Sequence, residues 1–253
     1  MLVYCAEVSN MDELFNTYKK ELDDVKLNIL TSYMYHISNK NRAKLFLKHG
    51  TNVLIDSGAF TFQKTGLEDL EGYVKKYKKF IKKYDDKVNG FFELDIDNVI
   101  GYEKVYKIRK DLETVSDKII PVWHKSLGVK EFINMCNDYD YISVSCVGDR
   151  DILPHQYKYF VDHAHKKDCK IHGLGMTKRK IIDKVPFDTV DSTSWFKSPR
   201  FARIKNSLVS HKTEKLNSQY TSDNRKELMF IEFMEHLRFQ KEYYNKWKWY
   251  HKD

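Results

Sequence analysis

Short apolar runs alternate along this chain with longer stretches in which apolar residues recur every three to four positions. The short runs, bounded by polar and turn-forming residues, predict strands at 3–8, 28–35, 52–57, 90–95, 118–124, 141–146, 170–175 and 189–193. The longer stretches predict helices at 11–25, 40–49, 67–84, 102–115, 129–137, 154–166 and 177–184, with a last one inside 225–245. The segment 73–83 (YVKKYKKFIKK) shows the logic: tyrosine, valine, phenylalanine and isoleucine fall on one helical face and lysines fill the other.

Strands that alternate with helices in this way signal parallel pairing. Eight such units within 253 residues predict a closed (β/α)8 barrel, an architecture that needs about 250 residues. The whole of 1–253 is therefore expected to be one domain. An open doubly wound sheet is the alternative, but no predicted strand is followed by a GxGxxG turn. The segment 195–224 departs from the pattern. It is polar, rich in Ser, Thr, Lys and Arg, and without clear period, so it reads as a long basic loop before the closing helix. The stretch 243–252 (YYNKWKWYHK) suits either stacking on nucleotides or packing of that helix on the barrel, the second being preferred.

Composition adds the setting. The chain is 42% hydrophobic and 32% charged, and no run approaches the roughly 18 apolar residues of a membrane span. The start MLVYCAEVSN lacks the features of a signal peptide. A cytoplasmic protein with no membrane association is expected. The net charge of +8 fits a polyanionic partner as well as plain solubility. Cys5, Cys136, Cys146 and Cys169 are too widely spaced for a disulfide scaffold or a compact zinc site. His163, His165, Cys169 and His172 look metal-like together. However, the first two are two positions apart on a predicted helix and so diverge, and His172 falls in the next strand, so no metal site is expected there.

Barrel enzymes carry their chemistry at the C-terminal ends of the strands. Three of those ends here place an aspartate directly after apolar residues: Asp56 (VLID), Asp95 (FFELD) and Asp191 (TVD). A carboxylate beside a buried strand is costly unless it is paired or used. Each could instead cap a helix, and Asp97 fits that role best, close to the helix expected from Tyr102. Gly58, Gly148, Gly173 and Gly175 would let backbone approach a flat ligand, although glycine also suits βα turns.

These residues resemble a known family. VLIDSGAFTFQ at 53–63, SVSCVGD at 143–149, IHGLGMT at 171–177 and TVDSTSW at 189–195 are similar, in family order, to strand-end motifs of the tRNA-guanine transglycosylases. They are closer still to the related DNA transglycosylases of the DpdA type, which insert 7-deazaguanine bases. FELDIDN at 92–98 corresponds to the family's base-binding aspartate segment. The family's zinc subdomain has no counterpart, and no cysteine follows Trp195. The fifth-strand glutamine that reads the base in tRNA enzymes is also missing; Trp123 and His124 stand in that region.

The resemblance implies replacement of guanine in a polynucleotide by a 7-deazaguanine derivative such as the 7-cyano compound. DNA is the expected polymer and tRNA the alternative, and no metal or redox cofactor is implied. Asp191 would be the nucleophile and Asp56 the proton carrier. Ser57, Gly58, Phe60, Asp95, His124, Cys146, Gly148, Gly173 and Gly175 would form the base pocket, and Lys197, Arg200, Arg203 and Lys205 would hold phosphates. A base inside a duplex must leave its stack to reach such a pocket. Two other classes fit the same barrel: a hydrolase or lyase for a small phosphorylated or sugar substrate, and a non-catalytic nucleic-acid-binding barrel.

Overall fold

Period-two alternation decides which face each strand residue takes, and here both faces are buried, as parallel strands between a core and a helical layer require. The computed structural model describes residues 1–7, 11–39, 43–59, 62, 69–146, 152–196, 203–205, 213–215 and 222–250. Its strands follow the expected order: β1 (Leu2–Ala6), β2 (Leu27–Ser32), β3 (Gly50–Asp56) and β4 (Gly90–Phe92), then β5 in two pieces (Ile119–Ile120 and Val122–Trp123), and β6 (Tyr141–Ser145), β7 (Lys170–Leu174) and β8 (Thr189–Ser192). All pair in parallel. Tyr4, Ala6, Leu30, Leu54, Phe92, Ile120 and Val122 point inward and fill the barrel as one cluster. Their neighbours Cys5, Ile29, Val53, Ile55 and Phe91 pack outward against helices on one side. Val3, Trp123, Ile142, Val144, Ile171 and Val190 do so on the other.

The sheet runs β4-β3-β2-β1-β8-β7-β6, with one piece of β5 at each end. The barrel therefore closes through a single strand that changes neighbour at Pro121. Ile119–Ile120 pairs with β4 and Val122–Trp123 with β6. Proline has no N–H to continue the first ladder, but its carbonyl accepts from the Ser143 amide at 2.8 Å. The Val122 N–H, past the end of the β4 ladder, donates to the Glu93 carboxylate at 2.6 Å. Arg109 grips the same carboxylate at 2.8 and 3.1 Å, and both side chains are almost fully buried. Burial pushes the Glu93 carboxyl up, against the pull of the guanidinium and the Val122 amide. The seam is thus held by a buried ion pair that also satisfies a strand amide.

The closing helix, Ser222–Trp247, lies along β1. Phe233 meets Phe15 and Trp195 edge-on at 5.5 and 5.6 Å. The Gln240 side-chain amide accepts from the Asn28 N–H at 3.5 Å and donates to the Asn28 carbonyl at 3.2 Å. It thereby supplies β2 with a partner where β1 does not pair with it. Tyr243 and Trp247 are buried, and the Trp247 indole donates to the Ile182 carbonyl at 3.0 Å, so this aromatic stretch packs on the barrel as preferred. Trp249, in contrast, is 68% exposed.

Three local expectations are corrected. The second strand ends at Ser32 rather than 35, because Tyr33–Ser38 is helical, with Tyr33 against Tyr73, Tyr77 and Phe80. The helix expected at 11–25 is broken at Tyr18 into Met11–Thr17 and Lys19–Leu22. Within 195–224, Arg203–Lys205 and Thr213–Lys215 pair as an antiparallel ribbon, since backbone pairing needs no apolar period to form. Among the described residues no helix is long and apolar enough to cross a membrane.

Candidate active site

The inward-facing polar residues converge at the C-terminal mouth of the barrel. Asp56 is the last residue of β3, level with Ser32 of β2. Its half-buried carboxylate accepts from the Ser32 hydroxyl and the Gly58 N–H. The Gly58 turn needs glycine twice over: φ is +74°, and a Cβ would lie 2.3 Å from Met34 Cγ and 2.7 Å from Ser32 Oγ. Loss of water, and then the charges of Asp95 and Asp191, push the Asp56 carboxyl up to about 6. The charges of Asp95 and Asp191 thus both bear on Asp56.

Asp191 sits on β8 level with Tyr4 of β1. Its Oδ1 accepts from the Gly175 N–H at 2.7 Å and lies 3.1 Å from His172 Nε2. Gly175 reaches this position with φ at +73°. Among the described residues no donor reaches Asp191 Oδ2; the residue is buried, with 9% of its side chain meeting solvent. His172 is fully buried, edge-on to Phe92 and Tyr4 at 5.1 and 6.2 Å. Its Nδ1 lies 2.6 Å from Thr189 Oγ1, which lies 2.5 Å from the Tyr141 hydroxyl. The tautomer sets the roles: with the proton on Nε2 the ring donates to Asp191, and Nδ1 accepts from Thr189, whose oxygen accepts from Tyr141. A relay of four side chains therefore runs through the barrel and ends on Asp191.

On the β4–β5 side, His124 Nε2 contacts Asp95 Oδ1 and lies 3.5 Å from Asp97 Oδ1. The three ligand atoms fall within 4.8 Å of one another, a set that could hold a cation. Asp97 does not cap a helix as expected. It lies inside the short helix Asp97–Ile100, whose N-cap is Ile96. The helix Tyr102–Glu113 has Gly101 at its N-cap and no side-chain cap bond. The Asp97 carboxylate turns to His124 instead.

No protein-family model matches the chain, and no curated protein matches it. Among solved structures it is similar to a GH10 xylanase from Thermobacillus composti. The identity is 10% and the TM-score 0.41, over 68% of this chain and 66% of that one, just under two thirds of the xylanase's length. Likeness at that level carries no argument about chemistry.

Other expected site residues turn elsewhere. Ser57 is buried, its hydroxyl accepting from the Ala59 amide at 3.4 Å and its carbonyl bonded by the Tyr73 hydroxyl. Cys146 packs its thiol in the helix layer, 3.4 Å from the Val144 carbonyl, while its N–H donates to Leu174 O at 3.0 Å. Gly173 also faces outward, where a Cβ would stand 3.0 Å from Met176. Trp123 faces the helices, its indole donating to Gly128 O at 3.0 Å, and leaves the mouth to His124. Phe60, Gly148, Lys197 and Arg200 lie outside the described residues, and Arg203 and Lys205 are described only as backbone.

The metal-like set does not converge. His163 packs on Phe132 and Tyr159, His165 lies 2.9 Å from Asp188, Cys169 is in the helix layer and His172 is in the barrel. Sequence reasoning missed His172, Thr189 and Tyr141 as partners of Asp191. Strand alternation held the signal, because 170–174 (KIHGL) with Ile171 outward places His172 inward.

Proposed function

We propose that this chain is a base-exchange transglycosylase, replacing guanine in DNA with a 7-deazaguanine derivative. The observation that carries the reading is two unlike carboxyls at one end of the barrel, the charge of Asp191 bearing on Asp56. Asp191 is fixed by Gly175 and His172, and Asp56 is pushed up to about 6. The transglycosylase-like motifs, in family order, support the same assignment.

In this reading Asp191 attacks C1′ of a flipped nucleotide, a C1′–O bond forming as the bond to N9 breaks. The departing electron pair goes to guanine, which takes its proton from the carboxylic acid form of Asp56. The incoming base then returns a proton to the Asp56 carboxylate, and its nitrogen displaces Asp191 from C1′. Two displacements give net retention. Positive charge developing at C1′ is stabilised by the anion beneath it. Asp95 accepts from guanine-type N–H groups, and His124 stands beside it. The backbone at Cys146 and Gly175 borders the pocket.

Labelled guanine incubated with the protein and either DNA or tRNA tests the reading. Label should enter DNA. Asp191→Asn should keep nucleic-acid binding while losing both exchange and the covalent adduct. Label entering tRNA alone would reassign the polymer, and normal turnover by Asp191→Asn would end the nucleophile assignment.

A further inference from the structure

We infer that Asp95, Asp97 and His124 form a binding site for one divalent transition-metal cation, at the edge of the same barrel mouth. The inference goes beyond base exchange and does not depend on it; an ion held there would compete with a guanine-type base for the Asp95 carboxylate. Oδ1 of Asp95, Oδ1 of Asp97 and Nε2 of His124 lie within 4.8 Å of one another. Donors around one cation at metal–ligand distances of about 2.0–2.2 Å stand roughly 3–4.4 Å apart, so the direct contact between His124 and Asp95 must open to admit an ion. The 3.5 Å from His124 Nε2 to Asp97 Oδ1 already lies in that range.

Helix capping does not account for the Asp97 carboxylate. Asp97 starts a helix without capping it, and its side chain points across to a residue from another strand end. The side chains are 15–20% exposed, buried enough to be held and open enough for water to complete the coordination. Charge argues the same way. The charges of Asp95 and Asp191 both bear on Asp56, so negative charge gathers at this end of the barrel. Two hard oxygens with one imidazole nitrogen suit Mn²⁺, which accepts both donor types.

The test uses the full chain, stripped with chelator and titrated with Mn²⁺ alone, free Mn²⁺ being read by electron paramagnetic resonance. One Mn²⁺ per chain should bind saturably. Asp97→Asn and His124→Gln should each weaken binding about tenfold or more, while Asp191→Asn, outside the donor set, should weaken it far less. To remain independent of how the variants fold, wild-type protein is also followed by NMR. Substoichiometric Mn²⁺ should broaden the His124 imidazole signals and spare those of exposed His155. Absence of saturable binding up to millimolar Mn²⁺, undiminished binding in both variants, or equal broadening of His124 and His155 would each overturn the site and leave a plain histidine–carboxylate pair. No substrate is present, so failure here says nothing against base exchange, and failed exchange says nothing against the metal site.

Discussion

Asp56 links stability to chemistry. Its carboxyl is raised from 3.8 to about 6, so the fold favours the protonated form. Its stability contribution is full below the unfolded value and is lost as pH rises through about 6. Asp56→Asn removes the cost of ionisation and should stabilise the protein at pH 8 by about 1–2 kcal/mol, discounted for partial exposure, with little effect near pH 3.5. Urea unfolding at the two pH values checks this; equal effects at both would mean the shift is absent. In the base-exchange reading the same variant loses turnover, and wild-type adduct formation should slow as pH rises through about 6, because the first displacement needs the acid form.

His172 acts through Asp191. With Nε2 and the Gly175 amide on one oxygen, the carboxylate has a single orientation. Misplacing a reacting group by about 1 Å can cost roughly 10²-fold in rate. In the base-exchange reading, His172→Leu should therefore slow exchange by about that factor with substrate affinity kept, and His172→Gln, which retains a donor, should recover part of it. A rate unchanged in His172→Leu would show that the relay does not orient the nucleophile.

At the scale of elements, closure rests on β5 and on the pair beneath it. Removing one partner of a buried ion pair strands the other charge, at a cost of about 3–5 kcal/mol. Arg109→Met should destabilise by that amount in denaturant titration. Glu93→Leu combined with Arg109→Met should recover part of the loss, less what the Val122 amide forfeits. A loss below about 1 kcal/mol in the single variant would mean the seam does not depend on the pair. The aromatic faces of Tyr102, Tyr106 and Tyr139 around the guanidinium make the site specific for arginine.

For the whole molecule, the +8 charge bears on partner choice only through salt dependence. Each phosphate neutralised contributes about −0.9 to the slope of log K against log salt on duplex DNA. If Lys197, Arg200, Arg203 and Lys205 hold phosphates, replacing all four by Ala should flatten that slope by about 3–4. An unchanged slope would move the polynucleotide track to another face. The same measurement with Asp56→Asn and Asp191→Asn separates binding from chemistry.

Sequence alone determined the barrel. Apolar runs of strand length alternating with helical spacing force parallel pairing, and each strand shows which residues face in and out. It also singled out Asp56 and Asp191, which lie at strand ends, and Asp95, which lies past β4 since that strand stops at Phe92 rather than 95; a carboxylate after apolar residues stands out in the pattern. What it could not determine were partnerships between distant segments. That His172 belongs to Asp191, that Asp97 answers His124 rather than a helix end, and that Glu93 satisfies a strand amide across the Pro121 break all depend on strand register and neighbour order. Those are set when the sheet curls and closes, since closure brings together side chains that no local period relates. The turn to helix at Tyr33 was hidden for the same reason: its packing partners, Tyr73, Tyr77 and Phe80, come from the helix that follows the next strand.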